Sequence, residues 1–172
     1  MGVHIIIDGY NMIGQSPTLS TGDLEQDRDC LIDFLAAYKR IKAHRITVVF
    51  DAARVDTFEA RKLNMKGIDI RFSQPGQLAD SVIKNMARQM RERAMVVSSD
   101  REVAGVAREA GAAVLGCREF EQVVADRLMG GAEDDPDEGP GSRQPRQTTR
   151  KRGPSRKPPK KSRRTRMRKD KL

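Results

Sequence analysis

The sequence predicts an α/β domain over residues 1–129, a parallel sheet flanked by helices, followed by a disordered basic tail over residues 130–172. Three observations predict it. Short β-branched runs alternate with longer stretches of helical apolar spacing, the pattern of a parallel sheet sandwiched between helices. The composition changes past Met129: Gly130-Gly131 leads into an acidic cluster at 133–138 and then a stretch rich in Pro, Arg and Lys. That stretch has no aromatic and almost no apolar residue, so it cannot bury enough surface to offset the entropy of ordering. The length of 172 residues also suits one domain of about 100–150 residues with an appendage.

The elements follow in order. Residues 3–7 form a β-branched run too short for a helix, and Gly9-Tyr10-Asn11 is expected to turn the chain out of it. From 23 to 42, Leu24, Leu31, Phe34, Leu35, Tyr38 and Ile41 recur at helical spacing, with acids in the first turns and Lys39, Arg40 and Lys42 at the end, as the helix dipole favours. Residues 46–50 read as a second strand. The stretch 52–66 is ambiguous, and 68–72 is a strand ended by Ser73-Gln74-Pro75-Gly76. Leu78, Val82, Ile83, Met86 and Met90 mark an amphipathic helix with Asp80 in its first turn. Residues 95–97 form a buried strand, and a helix from Asp100 runs to Gly111. Residues 113–115 form the last strand. A helix over 118–128, with Phe120, Val123, Val124 and Leu128 on one stripe, closes the domain.

Charge is placed unevenly. Residues 132–172 carry 15 Lys/Arg against 6 Asp/Glu, and residues 1–131 carry 18 of each, so the whole net charge of +9 falls in the tail. Such asymmetry points to nucleic acid, an acidic protein surface or anionic lipid as the tail's partner. Cys30 and Cys117 have no metal-ligand spacing and read as small core residues. No apolar run approaches the roughly 18 residues of a membrane span, and the N-terminus lacks the features of a signal peptide, so a cytoplasmic location is expected.

Four aspartates stand where predicted strands end or the next helix opens: Asp8, Asp51, Asp80 and Asp100. In open parallel sheets the loops beyond the carboxyl ends of the strands converge, so topology brings all four to one rim. Clustered carboxylates raise one another's pKa unless a cation neutralises them, and the hard cations Mg²⁺ and Mn²⁺ suit oxygen ligands. Any single Asp after a strand is more often a turn former or helix N-cap, an objection strongest for Asp80 and Asp100. Asn11 either stabilises the turn after Gly9 or orients a ligand or bound water. His4, His44, Asp69 and Asn85 are expected to be structural or surface residues, and Met65, Met86, Met90 and Met95 core filler.

The segments IIIDGYNMIG, VVFDA, LADSVIK and VVSSDREVA, in that order, resemble the YacP-like branch of NYN domains within the PIN-like nuclease group. The resemblance covers residues 1–129 and excludes the tail. It implies a metal-dependent endoribonuclease using Mg²⁺ or Mn²⁺, with Asp8, Asp51, Asp80 and Asp100 as the acidic pocket and Asn11 as the motif asparagine. On this reading Asp8 and Asp100 are the main metal ligands, Asp80 completes the shell, and Asp51 and Asn11 hold water or the site's geometry. Gln77 and Ser81 stand where related sequences often carry acids, which implies weaker metal binding.

Without a Ser, His or Cys nucleophile, water activated by the metal must attack the phosphodiester. RNA, including ribosomal or ribosome-bound RNA, is the expected partner. Arg54, Arg61, Lys62, Lys84, Arg88 and Arg101 are candidates to hold its backbone, and the tail, with Arg152, Lys160, Arg163 and Arg164, adds contacts indifferent to sequence. A non-catalytic RNA-binding or ribosome-associated adaptor is the alternative. A phosphoacceptor or phosphatase of doubly wound type fits less well, because Tyr10 stands where such phosphatases need a second Asp.

Overall fold

The computed structural model describes residues 2–52 and 62–130. Six strands form one sheet: β1 (His4–Asp8), β2 (Arg45–Phe50), β3 (Lys62–Met65), β4 (Ile68–Phe72), β5 (Ala94–Val97) and β6 (Ala113–Leu115). Their order across the sheet is β3-β4-β2-β1-β5-β6. All pairings are parallel except that of β3 with β4, where Leu63 faces Ile70 in an antiparallel hairpin closed by Lys66 and Gly67. The sheet is thus parallel as expected, with one antiparallel edge strand in the stretch the sequence left ambiguous.

β1 lies at the centre, buried at every position and paired on both sides. From it the chain winds outward to β2, and β4 and β3 lie beyond; it then crosses back to β5 and β6 on the other side. The loops after β1 and β5 therefore leave the sheet at the point where strand order reverses, the place such sheets favour for a ligand.

Helices cover both faces. α1 (Gly9–Gln15), α2 (Leu24–Ile41) and α5 (Cys117–Met129) pack on one face over a core that includes Ile5, Ile7, Leu31, Leu35, Phe50 and Phe120. On the other face, α3 (Ala79–Met90) and α4 (Arg101–Glu109) enclose Ile6, Val49, Ile83, Met86, Val96 and Val103. Ile5 and Ile7 feed one core and Ile6 the other, the period-two alternation of a strand buried on both sides. Met86 and Met95 fill core as expected, while Met65 on the edge strand is 39% exposed.

α1 is the main departure from the expected elements. The turn foreseen at Gly9-Tyr10-Asn11 is the start of a two-turn helix, nucleated because the Asp8 side chain accepts the Asn11 backbone N–H as an N-cap. Gly9 is required there for space. A Cβ at this position would lie 2.3 Å from Cε1 of Phe50.

His4 donates to or accepts from Thr47 Oγ1 through Nε2 at 2.8 Å, joining the starts of β1 and β2. Asp69 is fixed by Arg45 Nε at 3.1 Å and Asn64 Nδ2 at 2.8 Å. Both are structural, as expected, though each has a definite partner that the sequence does not reveal. Arg54, Arg61, the acidic run at 133–138 and the whole basic tail lie outside the described residues.

Candidate active site

Beyond the carboxyl ends of β1 and β2 lies an open pocket of about 310 Å³, lined by Asp8, Tyr10, Asn11, Asp51, Leu78, Ala79 and Asp80. Each carboxylate reaches it from a different element. Asp8 ends β1, Asp51 follows β2, and Asp80 sits in the first turn of α3. The fold thus brings three of the four predicted aspartates to one cavity.

Asp8 is the most constrained of them. It is 7% exposed, its Oδ1 accepts the Asn11 N–H at 3.3 Å, and its Oδ2 lies 3.5 Å from the donating Ser98 hydroxyl. Burial pushes its carboxyl from 3.8 up to about 6, and the charges of Asp80 and Asp100 add to that rise against the two hydrogen bonds. Burial likewise raises Asp80, helped by Asp100 and opposed by Lys84. The two carboxylates are therefore held in a field that favours protonation, or a cation in place of the proton. Asp51 Oδ1 accepts a long bond of 3.4 Å from Ser73 Oγ, which also takes the Ala52 N–H at 3.0 Å and so braces the ends of β2 and β4.

Asp100 behaves differently. Its Oδ1 accepts the N–H groups of Glu102 and Val103 at 2.8 and 2.9 Å, making it the N-cap of α4. It does not line the pocket, although its charge acts on Asp8 and Asp80. The helix-capping role that the sequence held open for Asp100 is the one the structure displays. Asp80 escapes the same objection, because the N-cap of α3 is Leu78.

Asn11 lines the pocket, yet its Oδ1 accepts from the Ser99 backbone N–H at 2.9 Å and from the Cys117 thiol at 3.0 Å. Its amide oxygen braces the loop after β5. Burial pushes the Cys117 thiol up, which keeps it protonated and able to donate.

Three side chains of the site went unassigned in the sequence. Tyr10 lines the pocket, held edge-on to Phe50 at 5.1 Å between ring centroids, and its hydroxyl accepts from Arg28 Nη1 at 2.9 Å. Ser98 links Asp8 to the Asp100 N–H, which its hydroxyl accepts at 3.1 Å. Leu78, 63% exposed, supplies an apolar lip. Only the position of Tyr10 two residues past Asp8 hinted at any of these.

Gln77 does not face the acidic pocket. It lines a neighbouring groove, where its Oε1 accepts the Gln74 N–H at 3.4 Å. Of the basic candidates, Lys84 is paired with Glu102 Oε1, Arg88 donates to Asn85 Oδ1 at 3.3 Å, and Arg101 is exposed on the first turn of α4.

Among the described residues, no group of three or more His, Cys, Asp or Glu side chains is set closely enough to hold a metal ion. The donor chemistry of the pocket still fits Mg²⁺ or Mn²⁺. Mg²⁺ keeps several waters and is commonly held by one or two carboxylates together with substrate phosphate, so a closed three-carboxylate cage is unnecessary. A buried carboxylate whose pKa is raised beside a second one meets that lower requirement.

Known proteins share this architecture. The chain is 34% identical over 87 residues to the uncharacterized protein YacP of Bacillus subtilis (strain 168), a match over 49% of this chain and 51% of that protein, so the chain spans about half the length of this curated relative. The crystal structure of Rae1 (YacP) from Bacillus subtilis superimposes with a TM-score of 0.60 at 28% identity, covering 76% of this chain and 79% of that one. The structure of a mutant of the same protein gives 0.57 at 26%, covering 73% and 78%. Among the described residues, no helix is long and apolar enough to cross a membrane. The family model for the YacP-like NYN domain matches residues 5–167, running past residue 129, where the resemblance was expected to stop, into the basic segment. With that match over nearly its whole length and the same fold as solved relatives, the chain belongs to the YacP-like NYN domain family.

Proposed function

We propose that this protein is a metal-dependent endoribonuclease whose acidic pocket cleaves RNA phosphodiester bonds. Family membership supports a ribonuclease-type function. The observation that carries the finer reading is the buried Asp8 carboxylate, raised to about 6, in one pocket with Asp51 and Asp80 beyond the carboxyl ends of β1 and β2.

Asp8 and Asp80 would hold the Mg²⁺ or Mn²⁺ directly, Asp51 would accept hydrogen bonds from its water shell, and Asp100 would add negative potential from behind. When bound, the ion supplies a water of lowered pKa and neutralises charge on the phosphate oxygens. The residues of the chain do the positioning. Ser98 and the Asn11 N–H fix both oxygens of Asp8, Asn11 Oδ1 holds the loop after β5 against α1, and Arg28 fixes the Tyr10 ring at the pocket wall. Arg101 on the rim and the basic tail would hold the RNA backbone against the acidic potential, including at Arg152, Lys160, Arg163 and Arg164.

A second reading, an RNA-binding or ribosome-associated adaptor without catalysis, is favoured by one observation: the Asp100 carboxylate is engaged in capping α4 and, among the described residues, no three acids are set as a closed metal cage. Incubating the full chain with single-stranded and structured RNA in Mg²⁺, Mn²⁺ or EDTA decides between them. Cleavage that needs the divalent ion supports the enzyme, and binding without cleavage in all three conditions supports the adaptor.

A further inference from the structure

Beside the acidic pocket runs a second groove of about 250 Å³ whose chemistry is of another kind. One wall is the face of α3 that presents Asn85 and Gln89. The other is the end of β4 and the loop after it, with Arg71, Phe72, Gln74 and Gln77. Among the described residues no carboxylate lines it, and its one charged group is a guanidinium.

Four carboxamides in one groove are an unusual concentration of paired donors and acceptors without net charge. Carboxamides match the hydrogen-bonding edges of nucleobases, whereas phosphate is better met by Arg and Lys. Two of the four already have their oxygens engaged: Gln77 accepts the Gln74 N–H and Asn85 accepts from Arg88, which leaves their NH₂ groups to donate. The volume lies below the roughly 300 Å³ at which small-molecule pockets usually begin, so the groove suits one unit of a polymer better than a whole free ligand.

The groove and the acidic pocket are lined by adjoining residues of one segment at the start of α3. Gln77 lines the first, and Leu78, Ala79 and Asp80, the next three residues of the chain, line the second. A strand of RNA with its phosphate at Asp80 would pass the N-terminus of α3 and bring an adjoining base between Gln77 and the Asn85–Gln89 face.

We infer that this carboxamide groove is a nucleobase subsite, taking an unpaired base of single-stranded RNA next to the phosphate held in the acidic pocket. The inference rests on the RNA-directed reading of that pocket but not on its catalysis. Asn85 and Gln89 hydrogen-bond the base edge from α3, Gln77 does so from the opposite wall, and Arg71 meets the flanking phosphate.

The test is a binding measurement in Ca²⁺, a hard cation that carboxylates hold but that activates water poorly, so that the acidic pocket is neutralised and little cleavage is read. The full chain is titrated with a fluorescent tetranucleotide and with its abasic counterpart, whose phosphates are the same. Electrostatic binding through the tail then cancels in the ratio of the two Kd values. Wild type is expected to favour the intact oligonucleotide about tenfold, the scale of base-specific contacts. Asn85→Ala/Gln89→Ala, at exposed helical positions where alanine keeps the helix, should lower that ratio at least threefold, and so should Gln77→Ala from the facing wall. Circular dichroism melting verifies the fold of each variant. The inference is overturned if wild type binds both ligands equally or if the variants keep the wild-type ratio, even where Tyr10→Ala in the acidic pocket lowers it. Failure of this effect with metal-dependent cleavage intact would remove the subsite alone and leave the nuclease reading standing.

Discussion

Asn11 Oδ1 accepts the backbone N–H of Ser99 at 2.9 Å, tying the helix that follows β1 to the loop that follows β5. The two loops part at the reversal of strand order, and this bond holds the segment carrying Ser98, which donates to Asp8, against α1. The Ser99 amide is exposed, so breaking the bond costs only about 0.5–1.5 kcal/mol of stability. Asn11→Ala is therefore expected to shift Tm by a few degrees while lowering RNA cleavage at least tenfold, because the loop carrying Ser98 and Asp100 is no longer braced. Matched thermal melts and cleavage rates check it. A drop in activity no greater than the drop in folded protein would make the bond merely structural.

Burial makes the ionised Asp8 carboxylate costly to the folded chain. Its folded pKa, about 6, lies above its ordinary 3.8, so between those values the folded chain binds more protons than the unfolded one. Stability contributed at that carboxyl is therefore lost as pH rises from 3.8 to about 6, and the loss is complete above it. In EDTA at pH 7.5, Asp8→Asn should be more stable than wild type by about 1–3 kcal/mol, with the difference vanishing near pH 4. Denaturant titrations at the two pH values measure both. Wild type more stable than the variant at pH 7.5 would mean that the Asp8 charge is compensated in the folded state.

Gly9 tests the packing beneath the site. A Cβ there would sit 2.3 Å from the Phe50 ring, which also carries Tyr10 edge-on. Gly9→Ala should destabilise the protein by about 1–3 kcal/mol, and Gly9→Ala/Phe50→Leu should recover part of that deficit. Chemical denaturation of the two variants gives the answer.

The proposed binding of RNA by the tail is testable in salt. Replacing Arg152, Lys160, Arg163 and Arg164 with Gln should flatten the slope of log affinity against log salt by about 0.7 for each phosphate of single-stranded RNA that is no longer neutralised. An unchanged slope would assign the tail to some other partner.

Much of this was legible in the sequence for a physical reason. The β-branched runs at β1, β2, β4 and β5 and the apolar stripes of α2 and α3 carry their own periodicity, and parallel topology then delivers Asp8, Asp51 and Asp80 to one rim. What was hidden depended on residues distant in sequence. α1 is too short to display a period and is started by the Asp8 cap, and β3 is specified by pairing with β4 more than by its own residues. Whether an Asp faces a pocket, as Asp80 does, or turns back to cap a helix, as Asp100 does, is decided by small differences of backbone that no spacing reports.

The central claim is that Asp8 serves a metal-dependent cleavage of RNA, and single-turnover cleavage by wild type and Asp8→Asn, each with Mn²⁺ and with EDTA, tests it most directly. Wild type is expected to cleave in Mn²⁺ alone, and Asp8→Asn to lose about 100-fold or more while melting no lower than wild type. Cleavage by Asp8→Asn at the wild-type rate, or by wild type undiminished in EDTA, would contradict it.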